Sequence, residues 1–266
     1  MSVNDELGKR MKENYENRSK TYLIRRTPVA IRFDGKAFHT FTRGLKRPFD
    51  KILIQAMQAT MKKLCENIQG CVFGYTQSDE ITIILRDDQT LTTDAWFDYS
   101  VQKICSVGAS MATYYFNKEF TKLAQEEILS WVGSYVPQSM DIQEEAHRYH
   151  KALKQAMENG ALFDARCFNI PKEEVTNLIY WRQLDATRNS IQMVGQFYFS
   201  HSDLMNKSCN KIQDLLFEEY HVNWNDYLTY EKRGSACYKT DVGWFVDLDM
   251  PILKGEDREY VERWLY

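Results

Sequence analysis

The chain has 266 residues, 44% hydrophobic and 27% charged, with a formal net charge of -3; such a chain buries a sizeable core as one large domain or two small ones and is neither disordered nor fibrous. No apolar run is long enough to span a bilayer, and the N-terminus MSVNDELGKRMKENYENRSK is too charged for a secretory signal, so a cytoplasmic protein with no membrane partner is expected. The small net charge neither demands nor excludes RNA, because a nucleic-acid partner requires a local basic surface rather than a basic whole.

Residues 1–24 alternate charge with scattered apolar positions (Leu7, Met11, Tyr15, Tyr22), the pattern of an exposed helix leading to Arg25 and Arg26. Pro28 opens a first strand in which Val29, Ile31 and Phe33 alternate with Ala30, Arg32 and Asp34. One face is buried, and Asp34 ends the other. Gly35 permits a tight turn and close backbone approach, which makes its carbonyl a candidate oxygen ligand and the following amides candidate phosphate donors; alone, Asp-Gly is only a turn signal. Lys36, Arg43, Lys46 and Arg47 then gather positive charge, either as a clamp for a triphosphate or as a solvated basic loop.

Asp50 to Gly70 is a helix by the spacing of Leu53, Met57, Met61, Leu64 and Ile68, with Asp50 as N-cap and Gly70 as stop. Cys71 to Leu85 (CVFGYTQSDEITIIL) is a hairpin whose bend carries TQSDE. Two strand ends therefore set Asp34 and Asp79 side by side, and adjacent carboxylates with no base between them suit hard divalent cations. Glu80, ranked below the two aspartates, is either a further ligand or a residue supporting them. A helix from about Asp94 to Lys118 bears a face of small residues, with Lys103 directed to the site or to solvent. Residues 119–160 form a polar, largely helical insertion in which His147 and His150, lacking a third ligand nearby in sequence, make a surface pair. Ala161 to Ile170 supplies a fourth strand.

This order is a split β-α-β-β-α-β arrangement: an α+β fold of ferredoxin-like palm type, its antiparallel sheet carrying helices on one face. Beyond Pro171, the run from Lys172 to Phe199 reads as two amphipathic helices broken near Leu184 to Asp185, followed by another helix at about Leu204 to Tyr220. Tyr227 to Thr240 reads as a small hairpin whose bend carries Lys232, Arg233 and Gly234. The expected division is a palm-type catalytic domain at 1–170 and a helical and hairpin part at 171–266 packed on it. Cys65, Cys71, Cys105, Cys167, Cys209 and Cys237 show no C-x-x-C pair and no zinc spacing, and read as reduced core cysteines.

Arg32 to Phe41 (RFDGKAFHTF) and Tyr75 to Leu85 (YTQSDEITIIL) resemble the two signature motifs of the tRNA-histidine guanylyltransferase superfamily. FDAR ending at Arg166, WRQLDATRNS from Trp181 to Ser190 and KRG at Lys232 to Gly234 match further motifs in the same order. The resemblance implies a polymerase-like palm that adds nucleotides to the 5′ end of tRNA in the 3′-to-5′ direction. ATP first activates a 5′-monophosphate as a 5′-adenylylated end, which the 3′-hydroxyl of an incoming GTP or other NTP then attacks. It further implies Asp34, the Gly35 carbonyl and Asp79 as ligands of two Mg²⁺ ions, with Glu80 beside them as part of the catalytic group. Lys36, Ala37, Phe38 and His39 match the loop that receives the triphosphate, and Arg47, Ser78 and Lys103 match further nucleotide-binding positions. Arg166, Arg188, Asn189, Lys232 and Arg233 match positions near the triphosphate or the RNA 5′ end, and a homotetramer is implied.

Where eukaryotic members read D-C-H-I-N-N after WRQ, this chain has Asp185-Ala-Thr-Arg-Asn-Ser190, so that Thr187 replaces the histidine. That departure resembles the Thg1-like branch of bacteria, archaea and some protists, which repairs 5′-truncated tRNAs against a template. The competing readings are a guanylyltransferase proper, adding the extra guanosine to tRNA-histidine; a nucleotide cyclase or forward polymerase; and a non-catalytic tRNA-binding protein. A diguanylate cyclase would carry a Gly-Gly-acidic-acidic-Phe hairpin where this chain has TQSDEI. A binder without chemistry would have no use for two mutually repelling carboxylates.

Overall fold

A computed structural model of the chain describes residues 6–133 and 140–266; the first five residues of the N-terminal stretch and positions 134–139 of the insertion lie outside the described residues. The elements are α1 (Glu6–Asn14), β1 (Val29–Gly35), α2 (Phe38–Phe41), α3 (Lys51–Asn67), β2 (Cys71–Gln77), β3 (Glu80–Leu85), α4 (Val101–Gly133), α5 (Met140–Asn159) and β4 (Phe163–Asn169). They continue with α6 (Lys172–Tyr198), α7 (His201–Leu204), α8 (Cys209–Tyr220), α9 (Thr229–Arg233), β5 (Ser235–Thr240), β6 (Gly243–Asp247) and α10 (Glu259–Glu262).

Among the described residues six strands form one antiparallel sheet in the order β4-β1-β3-β2-β5-β6. Its first four strands have the order of a split β-α-β-β-α-β palm. β5 and β6 extend it beyond β2, so residues past 170 complete the same sheet.

Alternation along the strands decides what covers each face. Ile31, Phe33, Ile81 and Ile83 point to α3 and α4, where they are buried with Met57, Met61, Ile104 and Phe116. Ala30, Phe73, Tyr75 and Ile84 point the other way and are buried under Val175, Leu178 and Ile179 of α6, with Val261 and Leu265. The two palm helices thus keep to one face, and the C-terminal part closes the opposite one. α3 begins where Asp50 accepts the Leu53 N–H at 3.0 Å, the N-cap expected from its sequence.

Three expectations change. α4 does not stop near Lys118: Phe116, Phe120 and Ala124 remain buried at helical spacing, so the helix runs on into the insertion. α6 is continuous through Leu184 and Asp185, because the polar residues that interrupt its apolar stripe are themselves buried. Gln183 accepts from the Leu253 N–H at 3.0 Å and donates to the Pro251 carbonyl at 2.8 Å. Finally, Lys232 and Arg233 end the short helix α9 and do not form a hairpin bend; the hairpin is β5–β6. Gly234 makes the helix-to-strand turn at φ +86°, where a Cβ would stand 2.4 Å from the Thr76 carbonyl. All six cysteines are free.

Phe33, fully buried in the central strands, is the test of this packing. Phe33→Ala is expected to cost about 3–5 kcal/mol, read as a lower midpoint in urea unfolding followed by circular dichroism.

Candidate active site

The site forms where β1 ends against the β2–β3 bend. The Gly35 N–H donates to the Asp79 carbonyl at 3.1 Å, drawing the two chain segments together just past Asp34. Ser78 occupies the bend with φ 50° and donates its hydroxyl to Asp79 Oδ1 at 3.0 Å. Burial pushes both the Asp34 and the Asp79 carboxyls above their ordinary range, and neighbouring carboxylates push further: Glu80 and Asp164 on Asp34, Asp34 and Glu80 on Asp79. Against this stands Arg166, whose Nη2 lies 3.5 Å from Asp34 Oδ2 and 3.1 Å from Asp164 Oδ1.

A carboxylate pair that repels itself is a place for a cation. Among the described residues no group of three or more His, Cys, Asp and Glu side chains forms a closed cage. The two carboxylates, with the Gly35 carbonyl as the backbone donor expected from sequence, would fit Mg²⁺, which keeps several of its waters and binds proteins through one or two carboxylates.

Beside the pair opens a cleft of about 360 Å³ whose lining includes Phe38, His39, Lys46, Arg47, Ser78 and Asp79. A smaller cavity of about 80 Å³ shares Ser78 with it and reaches Asn189, Ser190 and Gly234. The loop after Gly35 is rooted from below: the Phe38 ring packs on Phe41, Phe116 and Phe163 at centroid distances of 5.1, 5.5 and 5.3 Å. That ring also explains the glycine, since a Cβ at Gly35 would stand 2.2 Å from it. Ala37 turns the chain at φ 55° into α2, whose first N–H groups have no intrahelical acceptor. The Lys36 amide is not among the free donors, being bonded to the Leu162 carbonyl at 2.8 Å.

The remaining sequence candidates divide. Glu80, expected beside the aspartates as a catalytic group, is the cross-strand partner of Asp34, but guanidinium groups hold both its oxygens: Arg32 at 3.0 Å on Oε1 and Arg182 at 2.5 Å on Oε2, the latter also meeting Gln77 at 3.2 Å. It braces the site from within the sheet. Arg188 is exposed and paired with Asp185. Lys232 is buried, its ammonium donating to the Asn225 carbonyl and lying 5.4 Å from the Trp224 ring centroid, so its charge is engaged within the fold. The Arg233 guanidinium lies 5.6 Å from the same ring centroid.

Lys103 is near the start of α4, 5.6 Å from the Phe97 ring centroid. That helix starts where Tyr22 bridges Ser100, beside the beginning of β1, and meets the β4 start at Thr113, so Lys103 stands at the opposite end of the sheet from Asp34. His150 packs against Trp131 and Tyr149. Two residues that brace the surroundings of the site were missed from sequence: Arg182, which holds Glu80 and whose signal was an arginine on the stripe of Val175, Ile179, Ala186 and Ser190, and Tyr149, which donates to Asp50 of the cleft wall at 3.0 Å and had none.

The family model described as tRNAHis guanylyltransferase (Thg1) matches residues 8–171. A solved bacterial tRNA(His) guanylyltransferase (Thg1)-like protein in complex with ATP is 39% identical, with a TM-score of 0.81 over 98% of this chain and 99% of that one. A bacterial protein of the same description in complex with GTP is 37% identical, with a TM-score of 0.75 over 98% and 100%. The tRNA(His) guanylyltransferase of Eremothecium gossypii is 25% identical over 227 residues, 80% of this chain and 83% of that protein.

Carboxyls whose pKa is raised by folding contribute stability at acidic pH, below their unfolded values, and lose it as pH rises through the folded values. In EDTA near neutral pH, Asp79→Asn is therefore expected to melt roughly 2–4 °C above wild type, the shift that about 1 kcal/mol produces in a chain this long. Scanning calorimetry over a pH series checks it; the gain should shrink on acidification, and one that grew would reverse the sign assigned here.

Proposed function

The chain belongs to the Thg1 family of tRNA(His) guanylyltransferases and is a nucleotidyltransferase, and from that premise we propose that it repairs 5′-truncated tRNAs by template-dependent 3′-to-5′ addition. In this reading the 5′-monophosphate of the tRNA attacks the α-phosphorus of ATP and pyrophosphate leaves. The 3′-hydroxyl of the next NTP then attacks the activated 5′-phosphorus, AMP leaves, and a phosphodiester closes. Each step is an in-line displacement between highly charged groups, so positioning and charge neutralisation supply most of the rate.

The cleft supplies the positioning. Arg47 and His39 line its wall and would face the triphosphate, while Phe38, fixed by its ring partners, keeps the loop between β1 and α2 in place. Ser78 orients Asp79 through its hydrogen bond, and the half-exposed Arg166 next to Asp34 presents a cation where a 5′-phosphate would approach. Asp34, the Gly35 carbonyl and Asp79 would hold two Mg²⁺ ions, which supply neutralisation of the attacking and leaving oxygens when bound.

The observation that carries template-dependent repair over untemplated guanosine addition is Thr187. Its hydroxyl donates to the Gln183 carbonyl one turn back in α6 at 2.9 Å, so no side chain at that position stands ready to read a base as the eukaryotic histidine would. The higher identity to the bacterial Thg1-like protein than to the Eremothecium enzyme supports the same reading.

Two matched transcripts test it with Mg²⁺, ATP and labelled GTP: one tRNA lacking its first 5′ nucleotide, the other a full-length tRNA-histidine lacking only the extra guanosine. Complementarity-dependent addition to the truncated tRNA is expected; preference for the tRNA-histidine regardless of the opposing base would refute repair. A small cyclic product would indicate a cyclase, and no product at all a binder. In the same assay Asp79→Ala should lower both activation and transfer on the order of 10³-fold, the scale of several kcal/mol of lost charge stabilisation, with tRNA binding by filter retention preserved. Normal transfer in that variant would remove Asp79 from the site.

A further inference from the structure

The insertion between the palm elements reaches the cleft through one buried carboxylate. Asp50 is 4% exposed, and its two oxygens accept three hydrogen bonds. Oδ1 takes the Leu53 N–H at the start of α3; Oδ2 takes the Lys46 N–H at 3.0 Å and the Tyr149 hydroxyl at 3.0 Å. Tyr149 comes from α5, within the insertion. A buried carboxylate needs every available donor, because each unmet lone pair costs desolvation without compensation. The three donors therefore fix the path of the chain from Lys46 to Leu53, which carries Arg47 along the cleft wall.

The insertion grips the loop elsewhere too. The Lys46 ammonium lies 4.3 Å from the Tyr149 ring centroid and 3.4 Å from Glu127 of α4. Gly44 packs flush on α5, where a Cβ would stand 2.9 Å from that of Ala152, and Phe41 meets Phe120 at 5.0 Å. Lys46 is thus paired with the insertion. Arg47 makes no hydrogen bond or ion pair among the described residues and is left as the loop's cation toward the cleft.

We propose that Tyr149 is a positioning residue for nucleotide binding: through Asp50 it holds the Lys46–Arg47 loop in the shape that receives the triphosphate, which makes the insertion a clamp on the nucleotide side of the site. This rests on the nucleotide reading of the cleft given above.

Tyr149→Phe tests it, because it removes the hydroxyl and keeps the ring on which Lys46 rests. ATP affinity of the full chain is measured by isothermal titration calorimetry with Mg²⁺, alongside the rate of tRNA adenylylation at saturating ATP. The Kd for ATP should rise roughly tenfold, the lower end for losing a hydrogen bond to a charged group, while the saturating rate stays within about twofold. Leu153→Ala, fully buried in the same helix, is the comparison: it should lower the melting temperature at least as much yet leave the Kd within about twofold.

An unchanged Kd in Tyr149→Phe would overturn the proposal, as would a lowered saturating rate at unchanged Kd. An equal rise in Leu153→Ala would overturn it in favour of general loosening. Wild-type protein that binds no ATP would instead bring down the reading of the cleft itself, and the proposal with it.

Discussion

The register of β1 on β3 sets Asp34 opposite Glu80, and one residue further on the Gly35 amide reaches the Asp79 carbonyl. Everything else at the site follows from that alignment. In a sheet a slip of one residue exchanges the two faces, so it would bury Arg32 and Asp34 under α3 and α4 and turn Ile31 and Phe33 toward α6. Both faces are covered by packed helices, and neither would accept the exchange. The apolar core therefore holds two carboxylates in each other's repulsion, at a sheet end where a side chain alone would move away.

On the α6 side, one linked set of charges replaces apolar packing next to the site. Glu80 is held between Arg32 and Arg182, Arg182 also grips Asp185, and Arg188 pairs with Asp185 from outside. Trp181 lies against both guanidinium groups, at 5.3 Å from Arg32 and 4.5 Å from Arg182. Such a network is weak evidence for stability, since desolvation offsets much of the attraction, and the Nε–H groups of both Arg32 and Arg182 lack a partner among the described residues. What it does is directional: a carboxylate held on both oxygens keeps its neighbour on β1 in a fixed field. α6 is tied to the strand that carries Glu80 by charge and geometry as well as by the Val175–Ile179 contact.

The palm half of the fold was legible because its signals are local. β1 alternates, the Asp50 cap and the Gly70 stop bracket a helix, and the TQSDE bend sits between two apolar runs. Those features placed Asp34, Gly35 and Asp79 together; Ser78, His39 and Arg47 came from the motif resemblance and line the same cleft. What escaped is what depends on contacts distant in sequence. A buried arginine and glutamine look like a break in an apolar stripe, so α6 was divided in two. Lys232 looks like a cation offered to RNA until Trp224 and Asn225 fold around it. Lys103 sits on the right helix, but the direction of α4 carries it to the far end of the sheet. The bond between Tyr149 and Asp50 spans 99 positions, and neither residue signals the other.

The sheet order also has a consequence for how the chain emerges from the ribosome. β2 lies between β3, its immediate successor, and β5, whose Ala236 pairs with Tyr75. Until that late segment is synthesised, the outer edge of β2 is unpaired, and Phe73 and Tyr75 lack the residues near the C-terminus that bury them. A nascent chain thus displays an open strand edge next to an apolar face through most of its translation, the combination that invites intermolecular pairing. α4 and α5 form from local contacts and lengthen that interval, so the helices that pack on the loop of the cleft wall also prolong the time during which the half-built sheet must be shielded.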